Sequence, residues 1–171
     1  DEIGLETSFT GNTITVKPTT KTLQSKTLVV ESDWSSASYY FSLAAISEVG
    51  TEITLSSYKQ NSLQGDSDLV NIYKHFGVTT IFKNNAITIK KAGHTSTNFQ
   101  YNLVNAPDIA QTIAVTCFAL GITCDLTGLH TLKIKETDRL VALKTEIEKI
   151  GGKVEITDKS LHLKASNTIN E

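Results

Sequence analysis

The chain holds 171 residues, 39% of them hydrophobic and 20% charged, with a formal net charge of −2. That length suits one domain or two small ones with a sizeable core, and the near-balanced charge argues against a nucleic-acid partner, which would call for a basic face. No apolar run approaches the roughly twenty residues of a membrane span, so no membrane partner and no signal peptide are expected, and the expected location is cytoplasmic.

Residues 4–17 read as a hairpin, with Leu5, Phe9, Ile14 and Val16 flanking a turn at Thr10-Gly11-Asn12. Pro18 and the Thr/Lys-rich run to Lys26 read as a linker, and Leu28-Val29-Val30 as a short strand. Ser32-Asp33 offers a cap to a mostly apolar helix through Ala37, Tyr40, Phe41, Leu43, Ala44 and Ala45. Packing is the expected role of Trp34, Tyr39 and Tyr40. Residues 52–56 alternate as a strand should. Gly65-Asp66 is expected to cap a second helix bearing Leu69, Ile72, Tyr73 and Phe76, and Gly77 to stop it. A hairpin around Asn84-Asn85 follows.

The pattern then restarts. Residues 99–104 read as a strand. Pro107 suits the first turn of a helix whose Ile109, Ala110, Ile113, Ala114, Cys117, Phe118 and Leu120 make it apolar over much of its surface. Residues 123–127 read as a strand. A last helix carries Leu140, Leu143, Ile147 and Ile150 and ends at Gly151-Gly152, before a hairpin around Asp158-Lys159. Cys117 and Cys124 read as buried thiols. His75, His94, His130 and His162 are scattered at no metal-ligand spacing, so no metal site is expected.

The order strand, helix, strand, helix, hairpin therefore occurs twice. Residues 4–17 match residues 77–90 at an offset of 73, sharing Gly, Thr, Phe, Asn, Ile, Thr and Lys, and residues 85–90 match 159–164 at 74. Such a period is long for a solenoid and suits a repeated βαβαββ unit. The predicted fold class is α+β. Residues 1–22 are expected to be the terminal hairpin of a preceding unit plus linker, 23–95 a first complete unit and 96–171 a second. The sequence also lacks methionine, and the chain is expected to be a fragment of a longer protein.

The candidate site lies in Lys133-Ile-Lys-Glu-Thr-Asp-Arg-Leu140. The chain has fifteen lysines and a single arginine, Arg139. A planar guanidinium is required where a carboxylate or phosphate must be gripped by two parallel hydrogen bonds. On a helix opened by this stretch, Lys135 and Arg139 stand four apart on one face, with Glu136 beside them at an end where anions are welcome. The bland alternative is a capped helix start with solvated charges.

Four stretches together resemble the enolpyruvyl transferases, and most closely the 3-phosphoshikimate 1-carboxyvinyltransferase (EPSP synthase) family. They are Glu31-Ser-Asp-Trp-Ser-Ser-Ala-Ser-Tyr39, Asn61-Ser-Leu-Gln-Gly-Asp66, Pro107-Asp-Ile-Ala-Gln-Thr-Ile-Ala114 and Lys135-Glu-Thr-Asp-Arg-Leu140. The resemblance implies two lobes of βαβαββ units, helices inside and sheets outside, of which this chain is one lobe. It implies transfer of the enolpyruvyl group of phosphoenolpyruvate to the 5-hydroxyl of shikimate 3-phosphate, a step of aromatic amino-acid biosynthesis. No cofactor is implied, and the partner is the missing half of the same enzyme. By motif match Asp108 falls at the family's proton acceptor and Glu136 at its proton donor. Lys135 falls at a shikimate-phosphate contact and Arg139 at a phosphoenolpyruvate contact.

Asp33 matches a site-lining aspartate and, as a residue, reads as an N-cap. The family's sugar-phosphate asparagine is replaced here by Thr131. Four family elements have no counterpart among these 171 residues: a Lys-Ser segment, an Asn-Ala-Gly-Thr loop, a Ser-Ser-Gln stretch and an Asn-Asp-His-Arg run with a later lysine. A UDP-N-acetylglucosamine enolpyruvyl transferase is the alternative within the fold. It lacks the Lys-Glu-Thr-Asp-Arg motif. A non-catalytic repeat scaffold is the alternative outside enzymes.

Overall fold

A computed structural model of the protein describes residues 3–93 and 96–166. His94 and the extreme ends of the chain lie outside the described residues. The chain divides into two compact units, one ending at Val30 and one beginning at Glu31.

The first unit contains β1 (Thr7–Thr10) and β2 (Thr13–Val16), paired antiparallel with Phe9 opposite Ile14. Residues 28–30, expected as a strand, form none, and Val29 and Val30 are exposed. Leu-Val-Val has the local propensity for a strand, but a strand persists only where a ladder takes up its N–H and C=O groups.

The second unit begins with α1 (Trp34–Ile46), followed by β3 (Glu52–Ser56). The expected second helix is a composite: a 3-10 turn over Gly65–Asp68, a single α-turn, α2 (Leu69–Ile72), and a 3-10 turn over Tyr73–Phe76. Side chains of Ser, Asp and Asn compete here for local hydrogen bonds, as where Asn71 Nδ2 donates to Asp68 Oδ1 at 3.0 Å. Leu69, Ile72, Tyr73 and Phe76 are still fully buried, because residues three apart share a face in either helix type. Gly77 ends the run in the left-handed region at φ 73°. The hairpin β4 (Val78–Lys83) and β5 (Ala86–Lys91) turns on Asn84 and Asn85, both at positive φ, as a tight I′ hairpin requires.

Then come β6 (Asn98–Asn102), a 3-10 turn over Pro107–Ile109, α3 (Ala110–Ala119) and β7 (Thr123–Thr127). A 3-10 turn over Leu132–Ile134 precedes α4 (Arg139–Lys149), and β8 (Lys153–Ile156) and β9 (Ser160–Lys164) close the fold.

The sheets run β3-β5-β4 and β6-β7-β9-β8. β3, β5 and β4 correspond to β7, β9 and β8, with the same antiparallel pairings, while β6 adds parallel to β7. The repeat is visible residue by residue in the hairpins, which pair Phe9 with Ile14, Phe82 with Ile87 and Ile156 with Leu161.

The helices form the core, and the sheets present their outer faces to solvent. Ala37, Ala44 and Ala45 on α1 and Ala110, Ala114 and Cys117 on α3 are fully buried. Their small side chains are suited to close packing of helix and sheet backbones. A chain of hydroxyls ties three elements inside this apolar layer. Ser42 and Tyr73 lie within 2.7 and 3.0 Å of Thr116 Oγ1, which in turn donates to the Thr112 carbonyl at 2.7 Å. Buried polar groups satisfied in this way favour one register over its neighbours.

Candidate active site

Asp33 caps α1. Its carboxylate accepts from Ser35 N at 2.9 Å, Ser36 N at 3.2 Å and Ser36 Oγ at 2.7 Å. The Ser36 hydroxyl, followed by the backbone donors, holds this carboxyl below its usual range despite partial burial. The segment 61–66 braces the same helix start. Gln64 Oε1 accepts from Trp34 N and Gln64 Nε2 donates to Ser32 O, each at 2.9 Å. Gly65 lets this segment approach residue 105, since a Cβ there would lie 2.0 Å from the Asn105 carbonyl oxygen. Asp66 does not cap the composite helix. It accepts a hydrogen bond from the Ser35 hydroxyl instead. Burial raises the Asp66 carboxyl, the Ser35 bond opposes this, and the charges of Asp108 and Asp33 push further upward.

Pro107 opens the turn that carries Asp108 toward the same place. The Lys135–Arg139 stretch departs from expectation. The helix begins only at Arg139, because Asp138 is its cap, accepting from Leu140 N and Val141 N at 3.1 Å. Lys135 and Glu136 precede the helix, and Lys135 is extended. Lys135 and Arg139 are therefore not successive turns of one helix face. They converge on Asp108 from a loop and a helix start, with Lys135 Nζ 3.0 Å and an Arg139 guanidinium nitrogen 3.1 Å from Asp108 Oδ1. The other arm of Arg139 donates to Glu136 Oε1 at 2.6 Å. That hydrogen bond, more than any other cause, holds the Glu136 carboxyl below its usual range.

These groups border a cavity of about 390 Å³ lined by Asp33, Ser35, Ser36, Tyr39, Asp108, Gln111, Thr112, Glu136 and Arg139 among others. The structure thus brings together Asp33, Asp108, Lys135, Glu136 and Arg139. Thr131 is not among the lining residues, and its hydroxyl is buried without a hydrogen-bond partner among the described residues. Tyr39 and Tyr40 were expected to pack, yet they are 65% and 45% exposed, and Tyr39 lines the cavity. Alternating small and aromatic residues on a helix look like core, and only the helix's neighbours decide which face stays open. Trp34 does pack, edge-on to Tyr58 at 4.9 Å.

The arrangement sets Asp33, Asp108, Glu136 and Arg139 along a polar cavity, with Lys135 reaching Asp108 beside it. This is a set of groups able to grip an anion and move a proton beside it. The profile of the family EPSP synthase (3-phosphoshikimate 1-carboxyvinyltransferase) matches residues 2–170. The chain belongs to the EPSP synthase family. A 3-phosphoshikimate 1-carboxyvinyltransferase of Bacteroides fragilis is 44% identical over 122 residues, which are 71% of this chain and 30% of the relative. Another, from Methanoregula boonei, is 33% identical over 127 residues, again 30% of its length. The chain thus spans about 30% of the length of the curated relatives it matches. An EPSP synthase from Acinetobacter baumannii superposes with a TM-score of 0.77 at 19% identity, over 99% of this chain and 40% of that one. That likeness gives the fold: repeated α+β units of the EPSP synthase type. Among the described residues no helix is long and apolar enough to cross a membrane.

Proposed function

We propose that this chain supplies one lobe's share of an enolpyruvyl-transfer site. In this reading the 5-hydroxyl oxygen of shikimate 3-phosphate bonds to C2 of phosphoenolpyruvate while the methylene carbon takes a proton. Loss of a proton from the resulting methyl group and departure of phosphate then give the enol ether. Asp108 takes the hydroxyl proton and Glu136 gives a proton to the methylene carbon. Lys135 contacts shikimate 3-phosphate, Arg139 grips phosphoenolpyruvate, and Asp33 orders the α1 end of the cavity. Thr131 has no part. Residues 1–22 belong to the hairpin of a preceding unit, and 23–95 and 96–171 are successive units of the lobe. The remaining cations come from the other part of the family fold, and the location is cytoplasmic, in keeping with two free thiols.

One observation carries this reading. Asp108 and Glu136, 28 residues apart in different elements, meet at the same guanidinium on the wall of the cavity. The test is phosphate release from phosphoenolpyruvate with shikimate 3-phosphate. This chain alone is expected to show no measurable turnover. A protein joining it to the rest of the family fold is expected to turn over, and Asp108→Asn in that protein to lose about a hundred- to a thousandfold. Turnover by the chain alone within about tenfold of the whole protein would show that nothing outside it is needed. No turnover by the whole protein, with substrate still bound, would favour a scaffold.

A further inference from the structure

The two cations of the site are already engaged. Asp108 Oδ1 lies 3.0 Å from Lys135 Nζ and 3.1 Å from Arg139, and Asp108 Oδ2 lies 3.3 Å from Lys135 Nζ. Glu136 holds the other arm of the guanidinium at 2.6 Å. Arg139 is the least exposed member at 23%, while Glu136 is 69% exposed. The guanidinium is therefore held by Asp108 through one terminal nitrogen and by the more exposed Glu136 through the other. Both terminal nitrogens of Arg139 are thus engaged, one by each carboxylate, and an anion that takes the two terminal nitrogens together meets Asp108 and Glu136 already there.

We propose that the free site is latched on itself: Asp108 and Glu136 occupy Lys135 and Arg139, and an anionic ligand binds by displacing them. This rests on the reading of the site given above. Displacement has a chemical consequence for both carboxylates. Each exchanges a cationic neighbour for an anionic one at the moment the ligand arrives. For Glu136, Arg139 is the main cause of its lowered proton affinity, so release moves it toward the protonated form that a proton donor needs. Anion binding and arming of the acid are then one event.

The latch makes an uncommon demand on mutagenesis: removing a residue assigned to catalysis must tighten anion binding. The probe is inorganic phosphate, titrated into the 171-residue chain and followed by backbone amide NMR shifts of residues 133–141. Asp108→Asn is expected to lower the phosphate Kd about tenfold. Glu136→Gln, at a position 69% exposed, is expected to lower it about threefold, in line with the modest worth of partly exposed ion pairs. Arg139→Gln should abolish the response.

A control separates the latch from a general loss of negative charge. Asp33 lines the same cavity, but among the described residues its carboxylate bonds to Ser35 and Ser36 and to no cation. Asp33→Asn must therefore change the Kd by less than about twofold. Equal tightening by Asp33→Asn overturns the latch, and so does unchanged or weaker binding in both Asp108→Asn and Glu136→Gln. If phosphate moves these signals and Arg139→Gln abolishes the effect, the site reading stands whichever way the latch falls. If phosphate leaves them unmoved in every protein, Lys135 and Arg139 take no anion by themselves and the latch falls, while the turnover test still decides the site reading.

Discussion

Gln64 braces the start of α1 beside the Asp33 cap, and Gln64→Ala measures its share. The amide makes two 2.9 Å hydrogen bonds to backbone groups of residues thirty and thirty-two positions away, Trp34 N–H and Ser32 C=O. Truncation leaves both partners part-buried and unpaired. A fully buried orphan costs about 1–3 kcal/mol, and partial access to water places each of these near the lower end. The sum is about 2–3 kcal/mol, which for a chain of this size lowers Tm by about 4–12 °C. Trp34 is the only tryptophan and is fully buried, with its indole N–H on Glu31 Oε1 at 2.9 Å. Its fluorescence therefore reports on this corner during urea unfolding. The midpoint should fall with the slope unchanged, because the folded core is the same. Gln64→Glu keeps the acceptor for Trp34 N–H, loses the donor to Ser32, and should fall between the two. A loss below about 0.5 kcal/mol with unaltered fluorescence would show that the segment 61–66 does not hold the helix start.

Gly77→Ala should cost about 3 kcal/mol in the same urea assay. The residue sits at φ +73° and its Cβ would lie 2.6 Å from the Ala92 carbonyl oxygen, so left-handed strain and a backbone clash add. The pH dependence has a definite sign at Glu31. Burial works against its charge, but bonds from Trp34 Nε1, Lys59 N and Ser62 Oγ prevail and hold its folded value below 4.5. A depressed carboxylate stabilises above its unfolded value and loses that contribution as pH falls through the folded one. Urea stability should therefore decline on acidification below about pH 4.5, and Glu31→Gln should flatten the decline.

Much of this structure was legible in the sequence because its signals are local. Period-two alternation on either side of Asn84-Asn85 fixes a hairpin, and the offset of 73 reproduces the register pair by pair. A lone arginine among lysines marked a place where guanidinium geometry matters. What failed was competition between neighbours of similar strength. Asp138 outcompetes the residues before it as a cap, which puts Lys135 outside the helix. The 65–76 run has the apolar spacing of a helix but the side chains of a turn. Other features needed contacts no local pattern carries, such as His162 Nδ1 reaching Asp125 Oδ1 at 2.6 Å across β7 and β9. The work of Gln64 was hidden for the same reason.

The repeat also explains where the site lies. Ser35 and Asp108 are 73 residues apart, and so are Asp66 and Arg139. In the first copy the Ser35 hydroxyl donates to Asp66; in the second, Arg139 donates to Asp108 at 3.1 Å. The same two positions, the start of one helix and the start of the next, touch in both copies. Their polarity is exchanged. The first contact joins a neutral donor to a carboxylate that burial pushes toward its neutral form, which makes a brace. The second joins two full charges at the cavity, with Asp108 still 37% exposed. Setting the two copies side by side brings Asp33, Asp66 and Asp108 close enough for their charges to act on one another. Cations are needed to hold such a cluster together, and Arg139 with Lys135 supplies them from the second copy. Under the proposed latch, the cations that pair with Asp108 in the free protein are also the ones an anionic ligand must win, so one set of charges would serve both states.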